Sequence, residues 1–142
     1  MRVLSGEIIL FILLFHLAMS QSKPLKIDWF HSHVYFKPED YDKAARVRDN
    51  IRRGIGQNAR VYELVDHPIG PHPLPMFEVD FPSSNLGKVI EVLLTYREGF
   101  SILVHPLSGD DIADHTDYPM WIGKPLELNI ERMVEMIRMR GL

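Results

Sequence analysis

Residues 29–36, with the sequence WFHSHVYF, constrain the fold of this chain more than any other segment. Successive side chains of a β-strand point to opposite faces of its sheet. A strand over these residues has phenylalanine and valine on one face, and His31, His33 and Tyr35 on the other. The sequence therefore predicts a sheet with one conventional apolar face and a second face that carries imidazoles.

The residues that follow alternate between helical and extended patterns. A helix with apolar residues at helical spacing comes first and ends at Gly54. Strands are then predicted over residues 60–65 and 76–81, followed by a helix that begins near Leu86 and a strand over residues 100–105. This β-α-β-β-α-β order is typical of a ferredoxin-like α+β domain, in which two helices cover one face of a four-stranded antiparallel sheet.

The C-terminal part of the chain is one candidate to cover the second face of that sheet, which the two helices leave exposed. Residues 106–125 form a predicted loop rich in Gly, Asp and His, and a C-terminal helix capped by Asn129 follows. The histidine face must be covered by this segment, by a second subunit or by a ligand. We expect a homodimer that packs through or near this face, with a pocket left between the sheet and the loops.

Composition narrows the available chemistry. The chain has 142 residues, a net charge of −3 and no cysteine. Disulfides, thiolate metal sites and a cysteine nucleophile are therefore excluded, so any metal ion must be held by nitrogen and oxygen. No basic block indicates binding to nucleic acid.

The first twenty residues resemble a secretory signal peptide. Arg2 precedes an apolar run over residues 8–18, and the run ends at a small-x-small sequence of the kind that signal peptidase cleaves. The run is short for a membrane span. We expect a signal peptide over residues 1–20, one domain over residues 21–142, secretion and no stable membrane association. An uncleaved anchor and a misassigned start are the alternatives.

Five of the seven histidines lie in short motifs that contain proline, glycine or acidic residues. The first and fourth strands are neighbours in the predicted fold, so histidines on both can reach one cavity. Others come from the proline-rich loop HPIGPHPLP at residues 67–75 and from the loop after the fourth strand. We therefore expect one site built from His31, His33, His72, His105 and His115.

A catalytic metal commonly takes three protein ligands and keeps other positions open. With nitrogen and oxygen ligands the candidate ions are Fe(II), Zn(II) and Mn(II). We assign His33, His72 and His105 as ligands, and His31 and His115 to proton transfer or to orientation of the ligands. Other choices among the five stay open.

Three further residues are candidates for substrate binding. They are Tyr35 and Glu78, which share the histidine face, and Arg97, whose guanidinium suits a carboxylate. Glu78 could instead be a metal ligand, an orienting group or part of a solvated face, and an arginine on a helix surface often has no specific role.

Five motifs in order resemble the DOPA 4,5-dioxygenase family of extradiol ring-opening enzymes. They are HSHVYF at residues 31–36, GPHP at 70–73, REGFSILVHP at 97–106, SGDDIADHT at 108–116 and MWIG at 120–123. Together they span nearly the whole predicted domain and retain every motif histidine. The family pattern has Thr in place of Ser108 and Asn in place of Tyr96.

The resemblance implies an enzyme that cleaves the ring of a catechol, such as DOPA, with O₂ and a non-haem Fe(II). The ion would bind both catechol oxygens and bring the two reactants together. A neutral histidine would take a catechol proton, and a protonated one would assist cleavage of the oxygen–oxygen bond.

Two other functions stay open. The first is a secreted, non-catalytic domain that keeps the fold and binds a metal or ligand, because Fe(II) is hard to keep reduced outside the cell. The second is a zinc hydrolase, although no carboxylate is clearly placed to activate a water.

Overall fold

The computed structural model describes residues 24–141, which contain a five-stranded antiparallel sheet and four α-helices. The predicted signal peptide lies outside the described residues. Within residues 24–141, no helix has both the length and the apolar character needed to cross a membrane.

The elements are short and closely spaced along the chain. In chain order they are β1 (Trp29–Tyr35), α1 (Tyr41–Ile55), β2 (Arg60–Val61), β3 (Met76–Pro82), α2 (Leu86–Tyr96), β4 (Ile102–Pro106), α3 (Asp111–Thr116), β5 (Met120–Ile122) and α4 (Ile130–Met139). The strands lie side by side in the order β2-β3-β1-β4-β5. This order confirms the predicted α+β, ferredoxin-like architecture and puts β1 at the centre of the sheet.

The apolar face of the sheet packs against α1 and α2. Alternate residues of β1, β3 and β4, including Phe77 and Val104, meet buried residues of the helices such as Ile51 and Leu93. Fully burying a side chain of this size stabilises the fold by about 1.5–3 kcal/mol. This core holds the central strands rigidly, and with them the residues on their other face.

The opposite face carries the histidines, as the alternation of β1 predicts. His31 lies opposite Asp80 of β3 and opposite His105 of β4, and His33 lies opposite Glu78. One end of this face is covered by the chain itself. A second apolar cluster there joins strand residues to the proline-rich loop and to the segment after β5: Tyr35, Met76 and Leu103 with Ile69, Leu74, Trp121, Leu126 and Leu128.

The structure departs from the predicted elements in three places. Only Arg60–Val61 of the strand predicted over residues 60–65 joins the sheet, with a single further bridge at Val65. This strand is at the edge of the sheet, where leaving the ladder costs hydrogen bonds on one side only. The helix predicted to end at Gly54 continues to Ile55, and Gly56 ends it with a φ of +60°.

The loop predicted over residues 106–125 contains two elements that sequence patterns did not reveal, α3 and β5. The Asp110 side chain caps α3 by accepting hydrogen bonds from the backbone N–H groups of Ile112 and Ala113. Both elements are shorter than the window over which a periodic pattern can be recognised.

Candidate metal centre

Four imidazole rings surround one centre above the histidine face of the sheet. Neighbouring ring centroids lie 4.1 Å apart for His33 and His72, 5.7 Å for His72 and His115, 4.2 Å for His115 and His105, and 5.2 Å for His105 and His33. His31 flanks this group at 5.5 Å from His105 and 6.1 Å from His33. The structure therefore brings all five motif histidines together.

Four separate segments deliver these rings. His31 and His33 alternate on β1, and β4 places His105 directly opposite His31. In the proline-rich loop a tight turn presents His72, whose backbone N–H donates to the carbonyl of Ile69. His115 lies on α3, a helix within the segment that was predicted to be a loop.

Each ring of the central group except His33 turns its Nδ1 atom outwards to a hydrogen-bond partner. The Nδ1–H of His105 donates to the Pro106 carbonyl at 2.8 Å, and that of His115 donates to the Asp111 carbonyl at 2.8 Å. The Nδ1 of His72 is 2.7 Å from the Tyr35 hydroxyl. Such outer partners fix the ring orientation of metal-binding histidines and leave Nε2 free to bind the ion.

The separation of two Nε2 atoms fits a shared ion. The Nε2 of His33 lies 3.0 Å from the Nε2 of His105. Two nitrogens that bind one ion at about 2.1 Å and at a right angle to each other are about 3.0 Å apart. The carbonyl of Pro106 already holds the Nδ1 proton of His105, so its neutral ring presents a lone pair at Nε2. These residues can hold a metal ion.

Burial keeps three of the central rings neutral, those of His33, His72 and His105. Desolvation, followed by repulsion from the neighbouring imidazoles, lowers the pKa of His33 well below its ordinary value. Desolvation is also the largest cause that lowers the pKa of His72 to about 4 and that of His105 to about 3. Metal ions bind the deprotonated ring, so these three histidines are ready to act as ligands at neutral pH.

The predicted ligands are more deeply buried than the two histidines that are predicted to move protons or orient the ligands. His33, His72 and His105, the predicted ligands, are buried at 3%, 6% and 2% exposure, whereas His31 and His115 are half-buried. The ring nitrogens nevertheless form two triads that differ from the predicted ligand set. In each triad, one nitrogen from every ring lies within 4.8 Å of the other two. The first triad is His31, His33 and His105, and the second is His33, His72 and His115. His33 is common to both, so the exact ligand set stays a prediction.

Two carboxylates of β3 lie beside His31. Its Nε2 is 3.3 Å from Asp80 Oδ1, and its Nδ1 is 3.8 Å from Glu78 Oε2. Burial, together with the adjacent Asp80, raises the pKa of Glu78 to about 8. Tyr62 donates a hydrogen bond of 2.8 Å to Asp80 Oδ2.

The three predicted substrate-binding residues have different surroundings. Tyr35 is buried and stacks on Trp121. Its hydroxyl forms a hydrogen bond with the Nδ1 of His72. Glu78 lies at the site. Arg97 donates to the Phe100 carbonyl, and this contact stabilises the turn between α2 and β4. Their role in substrate binding stays a prediction.

Two supporting residues were missed by sequence reasoning. Tyr62 gains its role only through the pairing of β2 with β3. Asp114 is buried and accepts hydrogen bonds of 3.0 and 3.3 Å from the backbone N–H of Ser108, which ties the segment before α3 to the helix that carries His115. Its position next to His115 in the motif SGDDIADHT was the available signal for Asp114.

A groove of about 930 Å³ opens beside His72. It runs between the proline-rich loop and the start of α4, and its lining includes Leu74, Leu128 and Arg132. A cavity of this size falls within the range of small-molecule sites.

Comparison with known proteins gives concordant matches. The pattern of the Dopa 4,5-dioxygenase family matches residues 30–132. A protein of *Amanita muscaria* named DOPA 4,5-dioxygenase is 30% identical over 115 residues, which cover 76% of this chain and 50% of that protein. An uncharacterised 21.2 kDa protein of *Botryotinia fuckeliana* is 34% identical over 112 residues, covering 71% of this chain and 61% of its own length.

The chain thus spans only about half to three fifths of these two relatives. A crystal structure from *Nostoc punctiforme*, of a protein provisionally described as a dioxygenase, is similar with a TM-score of 0.73 and 40% identity. This match covers 82% of the present chain and 99% of the cyanobacterial one.

Proposed function

The chain belongs to the Dopa 4,5-dioxygenase family, and we propose that it is a metal-dependent extradiol dioxygenase acting on a catechol such as DOPA. The carbon–carbon bond beside the diol would break. Both atoms of O₂ would enter the product, one in a new carboxylate and one in a new aldehyde. The observation that carries this proposal is the group of buried, neutral imidazoles flanked by two half-buried ones.

The buried imidazoles of His33, His72 and His105 would hold the ion. We propose Fe(II), with Zn(II) and Mn(II) as the other ions that suit this donor set. A bound ion would supply a Lewis acid that favours the ionised catechol and brings the reactants together. The outward hydrogen bonds of His72 and His105 support this assignment, because they aim Nε2 at the centre.

The half-buried histidines are suited to moving protons. The Nε2 of His31 lies nearer to a carboxylate, 3.3 Å from Asp80, than its Nδ1, which lies 3.8 Å from Glu78, so Nδ1 is the nitrogen that would accept a catechol proton. The Nδ1–H of His115 is held by the Asp111 carbonyl, so its Nε2 is the atom that would take up and return a proton as the oxygen–oxygen bond breaks. General acid–base catalysis of this kind contributes about 10²–10⁴-fold to a rate.

Oxygen consumption tests the proposal directly. The full chain is loaded with Fe(II) without air, mixed with DOPA or a simple catechol, and exposed to O₂ while uptake and product absorbance are followed. We expect one mole of O₂ to be consumed for each mole of catechol. Bound iron without uptake for any catechol would contradict the proposal and favour a non-catalytic metal-binding domain.

Two substitutions separate the roles. His33→Ala should abolish iron binding and uptake together, whereas His31→Gln should lower kcat about 10²–10⁴-fold with iron content unchanged. The matched control is His67→Ala, because His67 is an exposed histidine that pairs with Asp66 away from the centre. Equal loss of uptake in the control would overturn the assignment.

Two further proposals concern the whole protein. We infer secretion from the N-terminal sequence, and detection of the chain in the medium, starting near Gln21, would test it. We also infer a homodimer, supported by exposed apolar side chains of Trp29, Tyr118 and Met120. Sedimentation at micromolar concentration tests the dimer.

A further inference from the structure

We propose that His31, Glu78 and Asp80 form a second divalent-cation site beside the imidazole centre. An ion bound there would occupy His31 and so inhibit the enzyme. The inhibition rests on the proposed function, because it requires His31 to move protons. The binding itself does not depend on that function.

The sheet places the three residues together. Asp80 lies opposite His31 in the pairing of β1 with β3, and Glu78 is two residues earlier on the same face of β3. One ligand atom from each residue lies within 4.8 Å of the other two. The three residues are half-buried, so an ion can enter from solvent while the surrounding protein limits its hydration.

A buried nitrogen without a hydrogen-bond partner in the described part of the chain, the Nδ1 of His33, also lies beside the proposed cation site. The His33 side chain is only 4% exposed, and its Nδ1 has no hydrogen-bond partner among the described residues, although it lies 3.5 Å from Glu78 Oε2. Asp80 Oδ1 is likewise buried without a hydrogen bond. An ion on the two carboxylates would bind Asp80 Oδ1 directly, and it would keep Glu78 ionised and able to accept the His33 Nδ1–H.

Within the described range, the lack of a lysine or arginine partner beside the two carboxyl groups also favours a bound cation. In the part of the chain that the structure describes, the ion-pair partners of Glu78 and Asp80 are histidines, His31 and His33, and not lysine or arginine. Burial favours the neutral form of both rings. Carboxyl groups that are partly removed from water and lack a charged partner favour protonation or coordination to a metal.

The donor set indicates the class of ion. One imidazole nitrogen and two carboxylate oxygens suit Zn(II) and Mn(II), whereas the imidazole-rich centre suits Fe(II) or Zn(II). Zn(II) is therefore the appropriate probe, because it can occupy both sites.

Binding stoichiometry tests the site. The full chain without metal is titrated with Zn(II) alone, and bound zinc is counted by equilibrium dialysis and native mass spectrometry. We expect two ions per chain in the natural sequence. Asp80→Asn keeps an acceptor for Tyr62 and should weaken the second ion at least 10-fold, while the first changes less than 3-fold.

The matched control is Asp66→Asn, which removes an exposed carboxylate that also pairs with a histidine, and it should leave both ions bound. Glu78→Gln gives an independent second variant if Asp80→Asn fails to fold. One ion per chain in the natural sequence, or a second ion that survives both Asp80→Asn and Glu78→Gln, would overturn the site.

Inhibition is measured separately on the iron-loaded enzyme, with iron content followed throughout. Zinc should inhibit at the concentration that fills the second site, and Asp80→Asn should need at least 10-fold more zinc to lose half of its own activity. Two bound ions in a protein that never consumes O₂ would reject the proposed function and keep the site. Dioxygenase activity in a protein that binds only one ion would support the proposed function and reject the second site.

Discussion

The Nε2 atoms of His33 and His105 lie 3.0 Å apart, although 72 residues separate them in the chain. Adjacent antiparallel strands, β1 and β4, bring the two side chains to the same face. The Nδ1 proton of His105 is committed to the Pro106 carbonyl, so in the metal-free protein only the Nε2–H of His33 can supply a proton between the two nitrogens. A neutral pair is compatible with this spacing, and a doubly protonated pair is not.

The metal-free protein should lose stability as the pH falls from about 6.5 to about 4. The unfolded chain protonates its histidines near pH 6.5, whereas burial lowers the pKa of His72 to about 4 and that of His105 to about 3 in the folded state. Between these values the unfolded state binds more protons, so lower pH favours unfolding. Within this window, each such histidine lowers the free energy of unfolding by about 1.4 kcal/mol for every unit by which the pH falls.

Urea unfolding at several pH values measures this effect. Glu78, whose pKa is raised to about 8 in the folded state, acts in the opposite direction over the same window and partly offsets the loss from the buried histidines. His105→Asn should flatten the slope, whereas His67→Ala, which changes an exposed histidine, should leave it as it is. A free energy of unfolding that does not change between pH 7 and pH 5 would show that the folded rings accept protons freely.

Tyr35→Phe should weaken metal binding without disrupting the fold. The phenyl ring can keep the stacking on Trp121, but His72 loses the partner of its Nδ1. Loss of an orienting partner typically lowers metal affinity about 10–100-fold. Fe(II) or Zn(II) titration measures the change, with Tyr118→Phe at an exposed position as the control. Unchanged affinity in Tyr35→Phe would show that the Tyr35 hydroxyl does not orient a metal ligand.

Asp114→Ala should loosen α3, the helix that carries His115, and the segment before it. The buried carboxylate accepts the Ser108 N–H, and removing it leaves that donor unsatisfied at a cost of about 1–3 kcal/mol. Hydrogen exchange of amides in residues 108–116 should become faster, while exchange in β1 stays slow. Asp117→Ala, at an exposed position at the end of α3, should have no such effect. Protection retained in Asp114→Ala would contradict this role.

Gly54→Val should destabilise the protein by about 1–3 kcal/mol because of overpacking. A Cβ atom at Gly54 would lie 2.9 Å from both Val92 and Tyr96, where α1 packs against α2. Gly87→Val is the matched control, since a Cβ there meets open space and should leave stability nearly unchanged. Thermal unfolding compares the two. Similar melting temperatures for the two variants would show that the helices can separate at little cost.

Much of the architecture follows from local patterns. The period-two alternation around His33 predicted which residues of β1 face the helices, and the order of helical and extended segments predicted the neighbours of β1. Such patterns succeed because burial of one face dictates the spacing of apolar residues over seven or more positions. They failed for α3 and β5, which are too short to express a period.

The sequence by itself determined the chemistry of this protein: imidazoles without cysteine, in motifs that resemble one family, on one face of a central strand. Only the tertiary structure decided which nitrogen of each ring is free, which histidines are buried, and that Asp80 and Glu78 lie against His31. These properties depend on hydrogen bonds and desolvation between segments far apart in the chain. Local sequence specifies which groups are present, whereas the packing of distant segments sets their orientation and their protonation.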